Sequence, residues 1–218
     1  MAKKEVSRAS IQKSYQDYLL NEGKEPETVR IFTNHQKIAE DDFYKHFGSL
    51  KNIESSIWED YYHKTLEVIQ KDPEFEEMSA REKHLSFLYT MLELIKPDRS
   101  YILYRLENKH PGSLPKFVKD TQKIITKADI YWASSFQFLP ERAKDFTQSA
   151  YRRVLWQHTV ALLIFWVKDD SGASNDTDVF VEKSTRTVFD IGELPALDSI
   201  FDLSKFFIQK MGFSKAAS

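Results

Sequence analysis

The sequence predicts an all-α protein. Apolar residues recur at three- and four-residue intervals through most of the chain, the period of a helix with one buried face. No run alternates apolar and polar residues as a half-buried strand does. Six glycines and seven prolines in 218 residues are too few for the many tight turns of an all-β chain.

The elements follow in order. Ile11, Tyr15, Tyr18 and Leu19 mark one face of a first helix, and Gly23 is placed to close it as a left-handed C-terminal cap. Pro26-Glu27-Thr28 opens a short second helix carrying Val29 and Phe32. A third short segment sets Phe43 and Phe47 one turn apart. After Gly48-Ser49 a long helix with Leu50, Ile53, Ile57 and Tyr61 on its inner face runs to about Pro73. Ser79-Ala80-Arg81-Glu82 has the form of a capping box, in which Ser and Glu satisfy each other's backbone N–H groups. It starts a helix with Leu85, Leu88, Leu92 and Ile95, stopped by Pro97.

A short helix over about 99–108 precedes the loop His110-Pro111-Gly112-Ser113, and a longer one carries Phe117, Ile124, Ile125, Ile130, Tyr131 and Trp132. The longest segment extends over about 141–168. Beyond the polar loop 169–176, two final helices carry Phe180, Val188 and Ile191, then Ile200, Phe201, Leu203, Phe206, Phe207 and Met211.

Composition narrows the function. Hydrophobic residues make up 41% and charged residues 29%, and the net charge of −2 supplies no global field for gathering nucleic acid. The absence of cysteine excludes disulfides, thiol nucleophiles and cysteine zinc sites. The charged N-terminus lacks the apolar core of a secretion signal, and the greasiest stretch, Val154 to Val167, is interrupted by Gln157 and His158 and too short to span a bilayer. A soluble cytoplasmic protein is expected.

The string Thr28-Val29-Arg30, followed at the right distance by Phe43-Tyr44-Lys45-His46-Phe47-Gly48-Ser49-Leu50, resembles the head of the tetracycline-repressor (TetR) family of bacterial regulators. The resemblance is clear over about residues 10–60. It implies a three-helix helix-turn-helix head over 1–48 and a larger helical ligand-binding and dimerisation domain over 49–218. Phe32, Ile38, Phe43 and Phe47 match the small core of such a head. Thr28 and Tyr44 match positions that touch the DNA backbone in the family, and Lys37, Lys45 and Lys51 are further candidate backbone contacts, although Leu50 stands where the family has a lysine and Lys51 comes one place late.

The departures from the family pattern are equally specific. Lys37 stands where the family has a glycine in the turn, and Ala39 stands where a serine or threonine caps the recognition helix. Glu40-Asp41-Asp42 fill its first turn, which favours the helix through its dipole but opposes phosphate. Residues 1–48 hold eight basic and eight acidic side chains, so the head lacks the basic patch of a dedicated DNA reader.

In the body, the resemblance implies an apolar pocket. Met91, Tyr101, Tyr104, Tyr131, Trp132 and Phe136 are candidate walls, and Gln157 with His158 are candidate polar contacts to a ligand. Each reads equally well as core: a buried histidine satisfied by a neighbour, aromatics packed on one another. Glu59 or Asp60 with His63 has metal-binding spacing, but such pairs on a charged helix are ordinarily solvated. No phosphate-binding loop, nucleophile elbow or metalloprotease motif occurs, so neither an enzyme nor a cofactor is expected. The aromatic C-terminal helices predict a homodimer, as in the family. Two functions follow: a ligand-responsive repressor that binds DNA as a dimer, or a TetR fold that has lost DNA binding and carries a lipid or other apolar molecule.

Overall fold

A computed structural model describes residues 6–106 and 144–192, and every secondary-structure element among them is helical. Helix α1 (Arg8–Glu22) starts at a reciprocal cap: Ser7 Oγ accepts from Ser10 N–H and Ser10 Oγ accepts from Ser7 N–H. It ends where Gly23 turns to φ 65° and donates its N–H to Leu19 O at 3.0 Å. Helix α2 (Val29–Gln36) is capped by Thr28, whose hydroxyl accepts from Ile31 N–H at 3.2 Å. Helix α3 (Glu40–Tyr44) has no side-chain cap, because Ala39 offers none. Helix α4 (Leu50–Ile69) then leads into the body.

The Ser79–Glu82 capping box forms and opens α5 (Ala80–Ile95). Pro97 does not end helical structure outright. It sits in a 3₁₀ turn (Lys96–Asp98) that passes directly into α6 (Arg99–Leu106). Helices α7 (Lys144–Lys168) and α8 (Asn175–Gly192) follow, joined by a loop containing a 3₁₀ turn at Gly172–Ser174. No helix among the described residues is long and apolar enough to cross a membrane.

The head is built around Phe32. Tyr15, Tyr18 and Phe43 meet its ring edge-on at 5.9, 6.0 and 6.1 Å, the arrangement in which a ring's positive edge faces a negative face. Phe43 and Phe47 are buried as expected, while Ile38 is only half-buried. In the body, α4 packs on α5, and α5 and α7 both pack on α8. The inner face of α5 is rotated from the predicted one: Leu88, Leu92 and Ile95 are buried, but Leu85 is half-buried and Phe87 and Met91 take its place.

The turn between α2 and α3 needs a left-handed residue, and Lys37 supplies it at φ 57°, ψ 40°, with Ile38 N–H reaching back to Thr33 O at 3.0 Å. A side chain there meets the following carbonyl at a cost of about 1 kcal/mol. Lys37→Gly is therefore expected to stabilise the protein by roughly 0.5–1 kcal/mol, read as a higher denaturation midpoint. An unchanged or lower midpoint would contradict strain at this turn.

Candidate functional site

The five candidate DNA-contact residues are all exposed: Thr28 at the start of α2, Lys37 in the turn, Tyr44 and Lys45 at the end of α3, and Lys51 in the first turn of α4. Tyr44 leaves half its surface to solvent while its ring rests edge-on against Phe43 at 5.3 Å. The acidic turn is partly neutralised from within the head. Glu40 Oε1 lies 3.6 Å from Arg30 Nε, and Asp42 Oδ1 accepts from Lys45 Nζ at 2.7 Å. That hydrogen bond raises the Lys45 pKa above its ordinary value. Asp41 remains exposed. Pairs this exposed are screened by solvent and contribute little to stability.

In the body, Met91 and Tyr101 are buried in the core, and burial pushes the Tyr101 hydroxyl well above its usual pKa. Tyr131, Trp132 and Phe136 lie outside the described residues. Gln157 is exposed on the solvent face of α7, because successive helical residues are turned by about 100° and only His158 of the pair faces inward. His158 is buried. Its Nδ1 lies 3.1 Å from His84 Nε2, and its Nε2 lies 2.7 Å from Ser184 Oγ.

The direction of this chain follows from its last member. Ser184 Oγ donates to Phe180 O at 2.5 Å, and that carbonyl can only accept. Ser184 Oγ therefore accepts from His158 Nε2–H. A neutral His158 then has Nδ1 as acceptor, filled by His84 Nε2–H. The distances resemble a serine–base–orienter triad, but a nucleophile must donate its proton to the base. Here that proton is committed to a backbone carbonyl, so the array is built to hold helices together.

Sequence reasoning missed His84 and Ser184. The signal for His84 was available: with Leu88, Met91 and Ile95 it continues the apolar stripe of α5 toward its N-terminus. The candidate metal spacing on α4 is used otherwise, since Asp60 accepts from Gln12 at 2.6 Å and lies 3.5 Å from Arg8. No group of three or more metal-ligating side chains occurs among the described residues.

The outer face of α7 and α8 carries an open groove of about 550 Å³ lined by Phe165, Val179, Phe180, Lys183 and Val188. Phe165 and Phe180 stack at 4.4 Å with planes 9° apart, and Val179 is half-exposed. The loop at one end is held by Asp169, which accepts from Ser171 N–H at 2.9 Å and Thr177 N–H at 2.8 Å. The Ser171 and Thr177 hydroxyls also bond it, and these bonds hold its carboxyl well below the usual range. Arg99 reaches across from α6 to donate to Trp166 O at 3.1 Å and Asp169 O at 2.7 Å.

Polar contacts join head to body. Gln12 donates to Ser56 Oγ at 2.9 Å, and Gln16 donates to Tyr61 OH, which donates on to Asp98 at 2.6 Å. Arg105 of α6 donates to Glu25, in the α1–α2 loop, at 2.8 Å and to Glu54 of α4 at 2.6 Å. Burial disfavours the guanidinium's charge, but Glu54 and Glu25 outweigh it and raise the pKa.

Residues 83–207 match the family described as tetracyclin repressor-like, C-terminal domain. No curated protein matches the chain. The family match takes in Arg105 and excludes Glu25 and Glu54, so Arg105 is a point where the matched region grips the rest of the chain. Arg105→Met would leave Glu54 buried with its main counter-charge gone, a change that costs about 3 kcal/mol or more when a buried pair is broken. Chemical denaturation should show that loss. A loss below about 1 kcal/mol would place the pair among exposed, weakly coupled ones.

Proposed function

The chain belongs to the tetracycline repressor-like family, and on that premise we propose that it is a ligand-responsive transcriptional repressor in the cytoplasm, binding DNA as a homodimer. Residues 1–48 form the DNA-reading head, and 49–218 bind the ligand and the second copy. The observation that carries this reading is the α2–turn–α3 geometry: Lys37 holds the left-handed conformation at φ 57° without being glycine. A turn kept at that energetic cost keeps α3 in the presentation that a helix-turn-helix requires.

Thr28, Lys37, Tyr44, Lys45 and Lys51 would contact the DNA backbone. An apolar ligand would lie against Met91, Tyr101, Tyr131, Trp132 and His158, whereas Gln157, being exposed, is set aside. Binding would move the body helices, and Arg105 with the Gln16–Tyr61–Asp98 bonds would carry that movement to the head. The ligand must prefer the released state by several kcal/mol to act as a switch. Dimerisation would use the α7–α8 outer face, whose apolar strip around Phe165, Val179 and Phe180 is the kind of patch that a partner covers.

A second reading is favoured by the Arg30–Glu40 and Lys45–Asp42 pairs, which engage cations that a DNA reader would offer to phosphates. In that reading the head no longer binds DNA and the body carries a lipid or other apolar molecule.

Fluorescence anisotropy against a duplex from the gene's own upstream region, titrated from low to physiological salt beside a scrambled duplex, separates the two. The regulator should bind its own duplex preferentially. A Glu40→Gln, Asp42→Asn double variant should bind more tightly, with the log–log salt slope steeper by about two, one for each freed cation. Failure of both proteins to bind at low salt would favour the second reading and direct attention to solvent extraction and mass spectrometry of the bound molecule. Sedimentation at micromolar concentration should show a dimer that Val179→Glu weakens. A wild-type monomer would remove the dimer proposal.

A further inference from the structure

We propose that the His84–His158–Ser184 chain is a proton-operated clip that holds α5, α7 and α8 together at neutral pH and releases them on acidification. The chain joins three helices through side chains far apart in sequence, and each hydrogen-bonding position along it holds one proton. His84 Nε2–H donates to His158 Nδ1 at 3.1 Å, His158 Nε2–H to Ser184 Oγ at 2.7 Å, and Ser184 Oγ–H to Phe180 O at 2.5 Å. A proton added at His158 Nδ1 turns that acceptor into a donor aimed at another donor. The His84 ring on the other side of that bond is packed among apolar rings, stacking on Phe87 at 6.3 Å and tilting against Phe189 at 5.9 Å.

Several charged and titratable groups on the surrounding helices have partners of their own. On α5, Lys83 donates to Glu76 O and lies over the Phe75 ring, while Glu82 closes the helix cap. On α8, Glu182 accepts from Tyr89, Arg186 pairs with Asp190, and Asp176 and Lys183 line the outer groove that Ser184 also lines. On α4, Tyr62 meets Phe87 edge-on and is kept un-ionised by burial, and His63 is exposed. In the head, by contrast, His35 Nε2 lies 3.3 Å from Glu22 Oε1.

The sign follows from the shifts. Burial, then the neighbouring His158, pushes His84 down to about 3, and burial lowers His158 as well. Free histidine titrates near 6.5. The opened state therefore takes up protons that the closed state refuses, so the clip is intact above about pH 6.5 and weakens as pH falls below it. Each histidine that stays neutral in the closed state multiplies the opening equilibrium by up to about tenfold per pH unit in that window.

Hydrogen exchange of the full chain at about pH 7.5 and pH 5.5, corrected for intrinsic rates, tests this. Amides of α5, α7 and α8 should lose at least about tenfold protection relative to those of α1 and α2. A uniform loss, or none, would overturn the proposal. A His84→Phe, His158→Leu variant should lose that regional pH dependence, and retention of the wild-type pattern would again overturn it. Should the variant not fold, the imidazole ¹⁵N shifts of the wild type decide. Neutral Nε2–H rings in the closed protein at pH 5.5 support the clip, and a charged ring inside an intact body refutes it.

Discussion

Arg105 carries its charge inside the protein, and a charge taken out of water must be met by opposite charge or the fold gives way. That constraint sets the position of the head. Glu54 comes from the helix that leaves the head, Glu25 from the loop inside it, and Arg105 from the far side of the Pro97 turn. Three segments converge on one guanidinium whose planar fork serves both carboxylates. The surrounding contacts are also polar: Gln12 with Ser56 and Asp60, Gln16 with Tyr61, Tyr61 with Asp98. Such a joint is directional, because hydrogen bonds weaken steeply with angle while apolar contacts slide. A seam of this kind suits a protein whose head must occupy defined positions relative to its body.

The head surface follows a different rule. Its ion pairs are exposed and weak, and they set the local balance of charge without fixing any shape. Glu40 and Asp42 are held by Arg30 and Lys45, so the acidic first turn of α3 is less forbidding to phosphate than its sequence suggests. The same pairs occupy the cations that would do the binding. In the proposed regulator, affinity for DNA would depend on which carboxylate partners are surrendered, a competition that salt screens on both sides.

The interior of the body shows how polar groups survive inside a helical core. His158 interrupts the apolar run of α7, but it is placed where α5 and α8 supply a donor and an acceptor, and the chain ends on a carbonyl with capacity to spare. The α7–α8 loop works the same way around Asp169, with two backbone N–H groups and two hydroxyls turned onto one carboxylate. The first array joins helices far apart in the chain, and the second fixes the turn between two consecutive ones.

What the amino-acid sequence determined by itself was local. The caps at Gly23, Thr28 and Ser79 and the burial of Phe32, Phe43, Ile53 and Ile57 all rest on contacts three or four residues apart or on helical period. The helix-turn-helix resemblance was legible for the same reason, since its motif is short and continuous. Only the tertiary structure decided the rest. Arg105 meets Glu25 across 80 residues and Glu54 across 51, and His84 meets His158 across 74. Nothing in local spacing distinguishes these from any other charge or histidine. Gln157 and His158 looked alike as neighbours in one apolar run, and the packing of α7 separated them by turning one face to solvent and the other to α5 and α8. Period shows that a helix has faces, but only the partners packed against it determine what each face meets.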